Sequence, residues 1–366
     1  MKTILHCIDT TGPGGAETVF IDLATRLPAE KYRAVAVIRG KGWVYEELCR
    51  RGITPILLDA KGSFNRAYLF ALCKLIRREH VDLVQSHLLG SNVYCAMAGL
   101  LTRTPVVTTF HGAVDIGERE RFKGLKFGAI NAGARCVVAV SENLRSDILE
   151  RTPLKAGKTR VIYNGIDTTT FNRPRSDRLR RQFGWTEDDI IIGSLGNIRP
   201  AKGYDILLRA AALLEKSQRS YRFVIAGQGK GQLYDELLQL REDLGLQDRV
   251  HFLGFAENPA EFLSSLDMFL LTSTSEGFSI ATIQAMSAKL PVVATRSGGP
   301  EEIVTHGEDG LLVAIRDPKA IADSVESLGA NPGLRTALAE QARKHVLQTF
   351  DLSVMLGEYE KVYDAL

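Results

Sequence analysis

Short apolar runs rich in β-branched residues recur along this chain, with amphipathic stretches between them. The runs read as strands over 3–8, 33–38, 55–58, 83–85, 106–109, 136–140 and 160–162. A second series covers 190–196, 222–226, 250–253, 268–271, 292–295 and 310–313. Between them, 16–27, 204–214 and 232–244 carry apolar residues at helical spacing. Alternating strand and helix implies parallel sheets covered by helices on both faces. Two such series in 366 residues predict an α/β protein of two doubly wound, Rossmann-like domains, over 1–170 and 171–349. The break falls where Phe171-Asn172-Arg173-Pro174-Arg175 interrupts the strand pattern. The last stretch, 350–366, has aromatic and aliphatic residues at helical spacing.

In open parallel sheets, ligands bind beyond the carboxyl ends of the strands, and the polar, glycine-containing segments here fall at those ends. From Ser273 the chain passes through Glu276 and Gly277 into a helix that includes Phe278, Ser279, Ile280 and Gln284. A helix start has unpaired amides and a positive dipole end, which suit phosphate. A carboxylate beside it would repel phosphate, so Glu276 is expected to meet neutral hydroxyls. Phosphate donors next to a hydroxyl reader describe a site for a nucleotide-linked sugar. Arg199 and Lys202 follow the strand at 190–196, where fixed cations would stabilise a departing diphosphate. Gly227 and Gly254 follow later strands and are placed to border a nucleotide, and Gly15 opens the first helix. The Gly12, Gly14, Gly15 turn lacks the full Gly-x-Gly-x-x-Gly spacing, which weakens a dinucleotide reading. His111 follows the strand at 106–109, and His87, after 83–85, reads as a packed residue beside the acceptor side.

Composition narrows the partners. With 45% hydrophobic and 24% charged residues this is a globular chain, and no apolar run approaches a membrane span. Residues 1–9 read as a buried strand, too brief for a signal peptide, so a cytoplasmic protein is expected. Residues 1–170 carry a net charge of +8 and the remainder −5, which suits an anionic acceptor or membrane surface against the first half. No nucleic acid is expected as a partner. Between 119 and 127, Arg119, Arg121, Lys123 and Lys126 interleave with Phe122, Leu125 and Phe127, diluted by Glu118 and Glu120. That stretch suits either peripheral contact with anionic lipid or a solvated helix with its aromatics turned inward. Cys7, Cys49, Cys73, Cys95 and Cys136 are odd in number and form no Cys-x-x-Cys, so buried thiols are expected rather than disulfides or zinc. No cluster at ligand spacing calls for a metal.

The same segments, in order, resemble the retaining glycosyltransferases of family 4, the glycogen-synthase-like and mannosyltransferase-like class. Gly14-Gly15-Ala16-Glu17, Thr109-Phe110-His111-Gly112, Val140-Ser141-Glu142, Tyr163-Asn164-Gly165-Ile166-Asp167, Gly196–Gly203 and Glu276–Gln284 carry the likeness. The resemblance implies the GT-B fold: two facing domains with an interdomain cleft, a hinge at Asn164-Gly165, and a C-terminal helix that crosses back to the first domain. It implies an N-terminal acceptor-binding domain and a C-terminal domain for the nucleotide sugar. His111, Arg199, Lys202 and Glu276 become the catalytic set, with Gly15, Asn197, Gly227, Gly254, Gly277, Phe278, Ser279, Ile280 and Gln284 on the donor. Two positions depart from the family pattern. Asn197 stands where an arginine is usual, and Gln284 where the second glutamate holds ribose.

The resemblance further implies transfer from a nucleotide-diphosphate sugar, UDP ahead of GDP, to an acceptor hydroxyl. Anomeric configuration would be retained by front-face attack, without cofactor or metal. A glycan or lipid-linked acceptor in cell-envelope polysaccharide synthesis follows from family habit. A sugar-nucleotide epimerase shares the architecture, and a silent nucleotide- or sugar-binding subunit would explain Asn197 and Gln284.

Overall fold

Each apolar run forms a strand in the computed structural model, which describes residues 1–59, 64–117 and 121–366. By contact the chain divides into one unit of Met1–Gly165 with Ser353–Leu366 and a second of Ile166–Leu352.

The first unit holds β1 (Lys2–Ile8), β2 (Tyr32–Ile38), β3 (Ile56–Leu57), β4 (Leu83–His87), β5 (Val106–Phe110), β6 (Cys136–Ala139) and β7 (Thr159–Val161). They pair in parallel in the order β3-β2-β1-β4-β5-β6-β7. Side chains alternate across a strand. Leu5, Cys7, Val35 and Val37 therefore bury against helices Arg66–Arg78 and Leu89–Thr102, with Leu72, Ile76 and Cys95. Ile8, Ala36 and Ile38 face the other way, onto Phe20 and Ile21 of helix Gly15–Arg26. Each Val, Leu, Ile or Phe among them contributes about 1.5–3 kcal/mol on burial.

The final helix, Leu352–Asp364, packs from Ser353 onward with the first unit. Its Tyr359 and Tyr363 are fully buried there, and the Tyr363 carbonyl accepts a 2.7 Å bond from Lys2 Nζ. The aromatic spacing at the end of the chain thus closes a core whose strands lie over 200 residues earlier.

The second unit holds β8 (Ile190–Leu195), β9 (Tyr221–Ala226), β10 (Val250–Gly254), β11 (Met268–Leu271), β12 (Val292–Thr295) and β13 (Leu311–Val313), parallel in the order β10-β9-β8-β11-β12-β13. Ile192, Phe223, Leu270 and Val293 pack against Leu207, Leu237 and Ile321 of helices Tyr204–Leu213, Gln232–Asp243 and Pro318–Ala330. Strand order reverses between β8 and β11, and the loops leaving those two strands carry Lys202 and Glu276.

Two expectations need correction. Four of the five cysteines are buried, but Cys49 is exposed, because helix Trp43–Arg50 turns only Val44 and Leu48 into the core. The aromatics of the stretch around helix Lys123–Gly133 do not all turn inward. Phe127 is buried against Phe110, whereas Phe122 is 57% and Leu125 75% exposed. Glu118, Arg119 and Glu120 lie outside the described residues. Among those described, no helix is long and apolar enough to cross a membrane.

Candidate functional site

In the second unit the loop after β8 turns through Pro200–Lys202 into Gly203, whose φ of +62° is a left-handed conformation. A Cβ at Gly203 would lie 2.3 Å from the Thr272 carbonyl, so only glycine fits between this loop and the end of β11. The two loops are then joined by backbone. The Thr272 hydroxyl donates to the Lys202 carbonyl at 3.0 Å and the Thr274 N–H to the Ala201 carbonyl at 2.7 Å. This fastening brings Lys202 Nζ to 2.6 Å from Glu276 Oε1, which also accepts from the Ser273 hydroxyl at 2.6 Å. Both side chains are largely buried, at 21% and 11% exposed, so the pair is poorly screened by solvent.

Backbone fixes Glu276 from the other side. Its N–H donates to the Ser297 carbonyl at 2.8 Å, and its carbonyl accepts from the Gly299 N–H at 3.0 Å. A Cβ at Gly299 would sit 2.6 Å from the Phe278 Cα, so this approach also requires glycine. Three residues on, Ser279 Oγ caps helix Ile280–Ser287 by accepting from the Thr282 N–H at 3.4 Å. Helix geometry leaves the first-turn amides of Ile280 and Ala281 pointing out of the helix start, next to Glu276 and Gly277. Gln284, one turn later, is half-buried with Ile280 and Ala281, while Thr282, Ile283, Ala285 and Met286 are buried. The Phe278 ring packs edge-on against Phe350 at 5.6 Å, so this residue turns its ring into the core.

Three more residues expected on the donor, Asn197, Gly227 and Gly254, meet at the ends of β8, β9 and β10. The Gly227 N–H donates to the Gly254 carbonyl at 2.7 Å, and the Gln228 N–H to Asn197 Oδ1 at 3.0 Å. Asn197, at the position where the family pattern has an arginine, thereby ties one glycine turn to the next. Arg199 is exposed. Tyr204 was not anticipated. Its hydroxyl donates to the Gly196 carbonyl at 2.7 Å, and burial, with the Glu276 charge nearby, pushes its pKa up and keeps it protonated. Gly299 meets Glu276 from another loop, whereas Ser273 lies three residues from Glu276 and Tyr204 eight from Gly196, local contacts that residue type alone does not mark.

In the first unit, His111 follows β5 and its N–H donates to Asp115 Oδ2 at 2.9 Å. Its Nε2 lies 2.9 Å from Nδ1 of His87, with the rings nearly parallel at 5.2 Å. Burial lowers the His111 pKa to about 3, so the ring is neutral; His87 is lowered by burial and by its neighbours His111 and His6. Asp115 goes the other way, raised to about 6 by burial despite three backbone N–H bonds. His87 is fully buried, in keeping with its reading as a packed residue, but it contacts the candidate His111 directly. Gly15 is the first residue of helix Gly15–Arg26.

Two parallel sheets of seven and six strands, with these loops at their strand ends, have the architecture of a glycosyltransferase of the GT-B fold. The chain belongs to glycosyltransferase family 4: the model for Glycosyltransferase Family 4 matches residues 13–170 and that for group 1 glycosyl transferases matches 175–345. It is similar to EpsD of Bacillus subtilis, a protein named for glycosyl transfer, at 30% identity over 85% of this chain and 84% of that one. It is also similar to LpsE of Rhizobium meliloti, a lipopolysaccharide core biosynthesis glycosyltransferase, at 26% identity over 94% of both chains. Among solved structures, Anabaena HepE in complex with UDP and glucose covers all of both chains with a TM-score of 0.89 and 26% identity.

Proposed function

We propose that this enzyme transfers a sugar from a UDP-sugar to an acceptor hydroxyl with retention of configuration, in the building of a cell-envelope glycan. The observation that carries the reading is the Lys202–Glu276 pair at the start of helix Ile280–Ser287, at the point where strand order reverses. The UDP and glucose held by HepE favour the uridine nucleotide for this chain too, and LpsE favours an envelope acceptor.

In this reading residues 171–349 hold the donor, and residues 1–170 with the helix at 350–366 hold the acceptor. Lys202 and Arg199 meet the diphosphate, whose charge grows as the glycosidic bond breaks, and the helix-start amides of Ile280 and Ala281 share that charge. Glu276 reads hydroxyls of the donor sugar and Gln284 those of the ribose. Gly227, Gly254 and Asn197 border the nucleotide, with Gly277, Phe278 and Ser279 as the backbone floor. His111 and Gly15 serve from the first unit. The protein positions the two reactants, and the departing phosphate takes the acceptor proton as the new bond forms on the same face.

Contact with an anionic bilayer is part of the proposal. Helices Arg66–Arg78, Leu89–Thr102 and Lys123–Gly133 pack side by side and contain no Asp or Glu, and exposed Phe122 and Leu125 stand beside Lys123 and Lys126. Such a surface suits an enzyme that reaches lipid-linked acceptors from the cytoplasmic side.

The deciding experiment is calorimetric titration with UDP, GDP, ADP and their sugar conjugates, followed by NMR of the product made from the donor that binds. Tight binding of UDP-sugars and an α-linked product from an α-donor are expected. An inverted anomer would overturn retention, and no binding by any nucleotide would overturn the donor site.

A further inference from the structure

A buried chain of polar side chains runs from the C-terminal helix to His111, all within the first unit. The Tyr363 hydroxyl lies 3.0 Å from Gln85 Oε1, and Gln85 Nε2 lies 2.9 Å from Thr109 Oγ1 and 3.3 Å from His87 Nε2. His87 Nδ1 in turn meets His111 Nε2 at 2.9 Å. Register explains the convergence: Gln85 and His87 are two residues apart on one face of β4, and His87 sits opposite Thr109 of β5.

The direction of each hydrogen bond follows from one acceptor. Gln85 Nε2 also lies 3.3 Å from the Ser86 carbonyl, which can only accept, so the amide NH2 faces that side and Oε1 faces Tyr363. That NH2 has two hydrogens for three neighbours, the Ser86 carbonyl, Thr109 Oγ1 and His87 Nε2, and a proton on His87 Nε2 would be set against them, so that nitrogen is the unprotonated one. A neutral ring has one N–H, so His87 carries it on Nδ1 and donates to His111 Nε2. His111, neutral as well, then carries its proton on Nδ1. That Nδ1 is buried and has no protein partner among the described residues.

We propose that Gln85 and His87 are positioning residues that lock His111 in the Nδ1–H tautomer, so that it offers a neutral hydrogen-bond donor to a substrate oxygen. The substrate-facing half of this rests on the reading of His111 as part of the transfer site; the tautomer does not. His111 then acts neither as a cation nor as a base. Its N–H is aimed by a relay anchored in Tyr363, residue 278 places away from Gln85 in the chain. Fixing a donor in advance saves the reorientation that a free ring would undergo on binding.

The test is 15N NMR of the histidine rings in the full-length protein, with and without UDP. Nδ1-protonated, Nε2-unprotonated rings are expected for both His87 and His111, unchanged from pH 6 to 8. An Nε2-protonated or cationic His111 in the unmodified protein overturns the relay, whatever any variant does. Gln85→Leu keeps the bulk but removes the donor to His87. It is expected to release both rings into a mixture of tautomers and to lower kcat roughly tenfold, with the donor KM within about twofold. A single Nδ1–H tautomer persisting in folded Gln85→Leu shows that Gln85 is not the lock. Released tautomers with an unchanged kcat leave the relay standing and remove His111 from the transfer site.

Discussion

Lys202 and Glu276, 74 residues apart in sequence, form a 2.6 Å ion pair between the loops that leave β8 and β11. Each residue thus neutralises the other, and the proposed function has a ligand divide them, with the diphosphate drawing Lys202 and the sugar hydroxyls drawing Glu276.

The two partners should therefore fail differently. Lys202→Ala removes the cation at the leaving group, and UDP affinity is expected to fall together with a loss of about 10²–10³ in kcat. Glu276→Gln leaves Lys202 unpaired and available, so UDP should bind as well as before or more tightly while turnover drops about 10²-fold. Titration calorimetry beside initial rates separates the two patterns, and equal loss of UDP affinity in both variants would refute the division of roles.

Gly299→Ala should destabilise the fold by about 1–3 kcal/mol, since the new methyl group meets the backbone of Phe278 and Gly277 rather than a flexible side-chain end. It should also loosen Glu276, whose carbonyl bonds the Gly299 N–H. Gly12→Ala is the control: nothing lies within 4 Å of its Cβ, so the melting temperature should not move. Thermal melts of the two variants beside the parent decide this.

Acid should unfold the protein through the buried histidines. Burial holds His6 and His111 at about 3 and lowers His87 as well, whereas the unfolded chain takes up these protons near 6.5. Stability is therefore complete above 6.5 and falls with decreasing pH, by about 1.4 kcal/mol per pH unit for each ring. Asp115 opposes this between about 6 and 3.8, because there the folded state binds its proton and the unfolded state does not. Chemical denaturation from pH 4.5 to 7 should show a flatter slope in His6→Leu and a steeper one in Asp115→Asn. Parallel curves for all three proteins would contradict the assignment.

Phe122 and Leu125 should carry binding to vesicles containing phosphatidylglycerol, with little binding to phosphatidylcholine alone. Changing both to serine should weaken sedimentation with the anionic vesicles several-fold without affecting the melting temperature, since both side chains already face solvent. Equal binding by parent and double variant would remove this patch from the membrane proposal.

Continuous apolar runs rich in β-branched residues and the helices between them are local signals, which is why the strands over 3–8, 190–196 and 292–295 could be read directly and proved correct to within a residue or so. The loops at the strand ends were equally legible, because glycine and polar residues punctuate the pattern wherever the backbone must turn. Lys202, Glu276 and His111 could thus be named from sequence. Their partners could not. Gly299 beside Glu276, and Gln85 and Tyr363 behind His111, meet only after strand order and register have placed distant segments side by side. The direction of Cys49 and Phe122 was equally out of reach, since a helix face is buried only if a neighbour covers it. Composition and periodicity dictate what each segment can become, through backbone sterics and the drive to bury apolar surface. Which charged and polar atoms share a hydrogen bond is decided by packing, because such bonds form at about 3 Å between atoms as far apart in the chain as Gln85 and Tyr363.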